Sequence, residues 1–312
     1  MTPDDRAEWL TWRAHGLGAS DIAGVLGISP WSSRYSVWLS KMDGGSGGTS
    51  GNVEAMRWGT LLEDAIATEA ARRLDMRVSH PQTRCVYDAW PMARATVDGF
   101  YAANDGTDSG VFESKTTSEA RWHIVPEYYE AQVQWQLMVT GELHAWIACL
   151  HNGRHLSLWR VESDPEVQAA MLDIGRNFWT RYVETRQPPE VDGMPGTTDA
   201  IRRRYATPDP DVVVELDGLA GAIDELRDVR AELAEIEARR DRLENMVKDA
   251  IGNRGEFGTI GGDVVASWRK QLSKRIDTAL LREKYPEIAE ECTTETSSRR
   301  FILRKAVDHA IA

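Results

Sequence analysis

The sequence predicts an α/β fold: a central mixed sheet flanked by helices, then a C-terminal helical or coiled segment and a small αβ tail. Three observations predict it. Apolar residues at helical spacing alternate with strand-like runs as far as Arg186. An Asn152-Gly153 dipeptide separates two β-rich segments, which marks a hairpin. Beyond Arg186 the composition shifts, first to Pro, Gly and Asp, then to Leu, Glu, Arg and Ala.

Residues 5–28 read as two short helical pieces joined by Gly16-Leu17-Gly18-Ala19-Ser20-Asp21, with Ser20 at the N-cap position before Ile22, Ala23, Val25 and Leu26. Residues 44–52, GGSGGTSGN, read as a mobile loop. Leu61, Leu62, Ala65, Ile66 and Ala70 predict a helix over about 57–74. Strand character follows at 83–88, 92–98 and 110–116, where β-branched and aromatic residues lie between turn formers. Residues 124–139 look helical. HAWIACLH and RHLSLWRVE then form the hairpin, around one sheet. The next helix starts near Ser163-Asp164-Pro165-Glu166, with Pro in its first turn and Val167, Met171, Ile174, Phe178 and Tyr182 as its core face.

The stretch QPPEVDGMPGTTDA reads as a linker. Within 216–251, Leu226, Leu233, Arg240 and Val247 alternate with Val229, Ile236, Leu243 and Ala250, a heptad spacing with one polar interruption. This predicts a long helix or helical hairpin seeking a partner face. The tail over about 256–312 predicts a strand (DVVASW), a helix over 277–289 and a strand (SSRRFILRK). The expected division is therefore 1–195, a linker at 196–215, the helix at 216–254 and the αβ unit at 255–312.

Composition sets bounds on function. There is no run of about 18 apolar residues, so no membrane span is expected. The start, MTPDDRAEWL, lacks the apolar core of a signal peptide, and a cytoplasmic protein is expected. Cys85, Cys149 and Cys292 are scattered, and three cysteines build neither a disulfide framework nor a four-cysteine cluster. The net charge of −12 argues against a protein that simply coats DNA. It is compatible with carboxylates that hold metal ions and with basic groups gathered on one surface.

VFESKTT carries the chemistry. Alternate strand residues share a face, so Val111, Glu113 and Lys115 point one way and Phe112 and Ser114 the other. A carboxylate and an ammonium two apart can both reach one metal-bound water. Asp98, at the end of ARATVD, is expected to meet Glu113, and two adjacent carboxylates repel unless a cation neutralises them. Oxygen ligands favour Mg²⁺, with Mn²⁺ as a substitute, held by Asp98, Glu113 and the Ser114 carbonyl, with Glu63 as a further carboxylate for a second ion. Such an ion polarises a phosphate and acidifies a water, while Lys115 orients that water or stabilises transition-state charge. Gln132 would hold the water or the phosphate. The competing readings are ordinary ones. Glu113 and Lys115 could form a surface ion pair, Glu63 could be a solvated helix position, and Gln132 could be a surface glutamine, as Gln134 and Gln136 read.

Five ordered blocks extend this reading: Trp9 and Arg13 with GLGASDIAGVLGISPW, WGTLLE ending in Glu63, the DG of ATVDGF, the ExK of FESK, and YEAQVQWQLMVTG. From about Trp9 to Trp159 the chain resembles the YqaJ-type viral recombinases, relatives of phage lambda exonuclease in the PD-(D/E)XK superfamily. The resemblance implies a restriction-endonuclease-like core and a metal-dependent 5′→3′ double-strand DNA exonuclease that leaves 3′ single strands for phage recombination. It implies Asp98 and Glu113 as metal ligands, Lys115 as catalytic lysine, Glu63 as auxiliary acid, and Gln132 with Tyr129 as its companion. Arg13 and Ser20 match positions that bind the 5′-terminal phosphate, though Ser20 also reads as a cap, and Trp9 and Trp12 read as core anchors.

Expected partners are double-stranded DNA ends, a single-strand annealing protein and further copies of the chain, a trimer by resemblance, in the cytoplasm of a bacterial host. The section after about residue 200 has no counterpart in the lambda enzyme and reads as an oligomerisation or docking arm. Two alternatives stand beside the exonuclease. An iron–sulfur nuclease needs four clustered cysteines. A DNA-end-binding or scaffolding protein would not need the five acidic, lysine and glutamine positions, all of which are present.

Overall fold

A computed structural model describes residues 3–44, 53–79, 83–295 and 297–304. All of the expected glycine-rich loop except Gly44 lies outside the described residues. The chain divides into two compact units, Met1–Ala206 and Thr207–Ala312.

In the first unit the order is α1 (Pro3–Ala14), β1 (Leu17–Gly18), α2 (Ala19–Leu26), α3 (Arg34–Met42), α4 (Val53–Leu74), β2 (Met76–Ser79), β3 (Thr83–Val86), β4 (Ala93–Val97) and β5 (Gly99–Ala103). It continues with β6 (Ser109–Thr117), α5 (Glu127–Thr140), β7 (His144–His151), β8 (His155–Glu162), α6 (Pro165–Phe178) and α7 (Pro195–Arg204). The expected α/β architecture of a mixed sheet flanked by helices is present. Among the described residues there are two sheets in this unit rather than one: a five-stranded sheet in the order β2-β5-β6-β7-β8, and a three-stranded sheet β1-β4-β3. Strands β2 and β5 and helix α3 were not apparent from sequence pattern.

Only β6 and β7 run parallel in the larger sheet, and α5 is the crossover that parallel pairing requires. The β7–β8 hairpin turns at Asn152 and Gly153, whose φ values of 50° and 65° suit the type I′ turn expected there. Alternation along β6 feeds two cores. Val111 joins a cluster with Ile22, Trp135 and Ile147 from the side of α2 and α5. Phe112 joins a second with Ile66, Ala70 and Ala148 on the side of α4. The chain leaves the small sheet at Val97 and enters the large one at Gly99, with Asp98 at the crossing. Glycine is required at 99, because a Cβ there would lie 2.3 Å from the Ser79 carbonyl oxygen.

Three expectations are corrected in this unit. Gly18, in extended backbone, is the N-cap of α2, its N–H bonded to Asp21 at 2.9 Å. Ser20 therefore lies inside the first turn and is not the cap. Helix α6 buries Gln168, Met171, Gly175 and Phe178, while Val167 and Ile174 are exposed. The cause is Gly175, where a Cβ would stand 3.1 Å from the Trp135 ring: the helix turns its smallest residue toward that indole. Part of the expected linker is α7, with Thr197 and Ala200 buried and Arg204 bonded to the Tyr35 hydroxyl at 2.7 Å. Pro195 at its first position favours the helix that the Pro- and Gly-rich composition disguised.

The second unit contains α8 (Ala220–Ile251), the antiparallel pair β9 (Phe257–Ile260) and β10 (Asp263–Ser267), α9 (Thr278–Lys284) and α10 (Pro286–Glu291). Helix α8 is one continuous helix of 32 residues, not a hairpin. Its stripe of Val229, Leu233, Ile236, Leu243 and Val247 is exposed. The helix expected over 277–289 is broken at Tyr285, since Pro286 cannot donate to the preceding turn. The expected final strand is irregular over 297–304, where the described residues find no partner edge to pair with. No helix among the described residues is long and apolar enough to cross a membrane.

Candidate active site

Strand β6 carries Glu113, Ser114 and Lys115 through the middle of the large sheet, and Glu113 is only 2 % exposed. An acid so placed needs partners, because burying a charge without them is costly. Glu113 has three. Its Oε1 accepts from Lys115 Nζ and from Gln132 Nε2 at 2.6 Å, and its Oε2 accepts from Gln136 Nε2 at 2.7 Å. Burial, reinforced by the nearby Asp98 charge, still pushes the Glu113 carboxyl above its ordinary range. On Lys115, burial opposes the charge, but the carboxylates of Glu113 and Asp98 outweigh it and hold the ammonium well above its usual value. Its Nζ also lies 5.0 Å from the centre of the Tyr129 ring.

Asp98 is tied to the same strand. The Ser114 N–H and hydroxyl both donate to its Oδ2 at 2.9 Å. Asp98, Glu113, Ser114, Lys115, Gln132 and Tyr129 are thus brought together. Ser114 serves Asp98 through these two donors. Gln132 grips Glu113, where a water or a phosphate was the expected partner.

Glu63 is half-buried on α4, one turn beyond Gly59, where a Cβ would lie 3.7 Å from Thr116 Oγ1. Helix α4 packs on the side of the sheet bearing Phe112 and Ala148. No group of three or more acidic, histidine or cysteine side chains suited to a metal forms among the described residues. The converging carboxylates are Asp98 and Glu113. They fit a hard divalent cation by their chemistry. Ser114 occupies Oδ2 of Asp98 and leaves Oδ1 open, and Glu113 Oε2 has a single donor and so a lone pair to spare. Mg²⁺ commonly uses one or two carboxylates together with waters and substrate phosphate.

A second cluster surrounds Arg13. Its Nη2 donates to Ser20 Oγ and to Asp21 Oδ1, each at 2.8 Å. Buried Lys41 reaches Asp21 Oδ2 at 2.5 Å and the Arg13 carbonyl at 3.2 Å. Burial would raise the Asp21 carboxyl, but Lys41 and Arg13 together hold it far below the usual carboxylate range. Two cations on one anion leave a net positive charge beside exposed Ser20. Trp9 lies under the Arg13 guanidinium at 5.3 Å and donates to Thr96 Oγ1 at 3.3 Å. Trp12 stacks against Arg94 and Arg84, at 5.2 and 5.9 Å.

Sequence reasoning missed Asp21, Lys41 and Gln136. Gln136 is fully buried, and Gln134 nearly so, with its amide bonded to the Glu162 carbonyl at 2.7 Å. Both corrections have one cause: α5 is the crossover beneath the sheet, so its glutamines meet protein where water was expected. The one signal available was spacing, since Gln132 and Gln136 are one helical turn apart. Asp21 could have been read as the acid three residues after the Gly18 cap. Lys41 gave no signal, because α3 itself was not foreseen.

Comparison with known proteins bears on this arrangement. A Bacillus subtilis (strain 168) protein described as uncharacterized protein YqaJ is 29 % identical over 308 residues, covering 96 % of this chain and 94 % of its own length. Among solved structures, an alkaline exonuclease from Laribacter hongkongensis is similar at 18 % identity and a TM-score of 0.47, covering 64 % of this chain and 97 % of its own. A phage-related exonuclease from Haemophilus somnus 129PT is similar at 11 % identity and a TM-score of 0.42, covering 55 % and 96 %. Residues 8–142, which span both clusters as far as Gln136, match the family of YqaJ-like viral recombinase domains.

Proposed function

We propose that the chain is a divalent-metal-dependent exonuclease acting on double-stranded DNA ends, with 5′→3′ polarity, whose 3′ single strands feed recombination by single-strand annealing. The observation that carries this reading is the Glu113–Lys115 pair, buried beside Asp98 and clamped by Gln132. The recombinase family of residues 8–142 supports recombination as its setting.

Mg²⁺ is the cation proposed, with Mn²⁺ as a substitute, held by Asp98 and Glu113, with Glu63 as an auxiliary acid. Bound there, it would supply Lewis-acid polarisation of the phosphate and a more acidic water. The chain's own residues do the rest. Ser114 fixes the Asp98 carboxylate, while Gln132 and Gln136 fix Glu113. Lys115, whose ammonium the Glu113 and Asp98 carboxylates favour, orients the water or stabilises charge on the phosphate. Arg13, held by Asp21, presents its remaining N–H groups beside the Ser20 hydroxyl, a donor set suited to a terminal phosphate. On this reading the protein acts in the cytoplasm of a bacterial host, with an annealing protein as partner.

Digestion of end-labelled linear duplex with Mg²⁺ tests the reading. Lys115→Ala and Asp98→Ala should abolish digestion while end binding survives; undiminished digestion overturns the site assignment. Label released first from the 5′ end supports the polarity. A preference for 5′-phosphate over 5′-hydroxyl ends, lost in Arg13→Ala, supports the phosphate pocket.

A further inference from the structure

Next to the proposed phosphodiester site lies a cavity of about 330 Å³ whose lining includes Arg121, Trp122, His123, His155, Ser157 and Trp159. That volume falls in the range of roughly 300–1,000 Å³ typical of small-ligand sites. Trp122 is 5 % exposed, and its indole N–H has no acceptor among the described residues. The Ser157 hydroxyl is likewise buried without a partner. Both atoms are closed to solvent and do not open into the cavity; its lining offers instead the half-buried Trp159 ring with exposed Arg121, His123 and His155.

The aromatic rings continue from this cavity to the catalytic lysine. Trp122 lies 5.8 Å from Trp159 and 5.2 Å from Tyr129, whose ring faces the Lys115 ammonium. Tyr129 in turn meets Tyr128 at 4.5 Å, and exposed Trp31 caps Tyr128 at 5.0 Å. Aromatic faces interleaved with cationic and imidazole groups are what a single nucleic-acid strand uses: its bases stack and its phosphates pair. In a protein of net charge −12, a cationic residue beside stacked indoles is a local exception to the repulsion of DNA.

We propose that this cavity seats a nucleotide of single-stranded DNA adjoining the cleavage site. Its base lies against the half-buried Trp159 ring, and its phosphate lies toward Arg121. The inference rests on the nuclease reading for the meaning of the neighbouring site, but its test needs no hydrolysis.

The full chain, in EDTA, is titrated with fluorescein-labelled oligo(dT) and separately with thymidine monophosphate. An oligonucleotide carrying 5-iododeoxyuridine is photocrosslinked to it and the adduct mapped by mass spectrometry. Oligonucleotide binding is expected to weaken about 5- to 100-fold in Trp159→Ala, the range for loss of one stacked base. It should also weaken in Arg121→Gln, an exposed position that leaves the fold intact. The crosslink is expected on the peptide holding Trp122 or Trp159. Unchanged binding in Arg121→Gln together with crosslinks only elsewhere overturns the proposal. Binding of the mononucleotide alone, lost in the variants while oligonucleotide binding persists, overturns it in favour of a free-nucleotide site. Because no metal is present, failure of the nuclease reading would appear separately, as Lys115→Ala that digests DNA normally.

Discussion

Gln136 donates its amide Nε2 to Oε2 of Glu113 at 2.7 Å, from a position fully closed to solvent. The bond comes from the crossover helix beneath the sheet and leaves Oε1 to Gln132 and Lys115. A carboxylate held from two helical turns at once cannot swing, so its free lone pair keeps a fixed direction.

Replacing Gln136 by Leu removes a donor to a buried charge, which costs about 1.5–3 kcal/mol. Burial and Asp98 already raise the Glu113 carboxyl, and the Gln136 bond lowers it. Its loss therefore raises that carboxyl further, and the acid limb of the pH–rate profile moves to higher pH. Rates measured from pH 5 to 9 check this; an unmoved limb would show that Glu113 is not the group titrating.

Asp21→Asn should destabilise the protein by about 3 kcal/mol at pH 7, because Lys41 is then buried without its counter-charge. Asp21 has a depressed carboxyl, so its contribution is present above the unfolded value near 3.9 and lost as pH falls through the folded one. The gap between wild type and variant should accordingly stay constant from neutral pH to about 4 and close only below it. Urea denaturation across that range measures it. Asp21→Asn with Lys41→Met should recover part of the loss.

Mg²⁺ should raise the melting temperature in the absence of DNA, since Asp98 and Glu113 gain a cation between them. A ligand at a hundred times its dissociation constant adds about 2.7 kcal/mol. Glu113→Gln should abolish the shift. Wild type that melts at one temperature with and without Mg²⁺ or Mn²⁺ would remove the case for a resident ion.

The exposed stripe of Val229, Leu233, Ile236, Leu243 and Val247 on α8 follows 3-4 spacing, interrupted once at Arg240, the pattern of a helix awaiting a partner helix. Light scattering on the full chain should give an oligomer, three copies by the family resemblance. Leu233→Glu with Ile236→Glu should return it to a monomer. A monomeric wild type would assign the stripe to another protein.

Much of this was legible before any fold was seen. The β7–β8 hairpin could be placed because Asn152 and Gly153 tolerate positive φ, a local property of two residues. Glu113 and Lys115 could be put on one face because strand periodicity is also local. The face of α6 could not be read, since Gly175 is turned inward by the Trp135 ring, a residue 40 positions away. The same holds for α7, whose Thr197 bonds the hydroxyl of Ser33 at 2.7 Å.

By itself, then, the sequence determined the α/β class, the carboxylate–lysine strand and the ordered motifs, because each depends on spacing within a few residues. The tertiary structure alone decided that Asp98 stands where one sheet hands the chain to another. It also decided that Gln136 is buried against Glu113 and that Lys41 and Arg13 share Asp21. Those pairings join residues 8 to 23 positions apart through the packing of separate elements. Burial converts ordinary polar side chains into obligatory partners, and no local pattern records which side chains will be buried together.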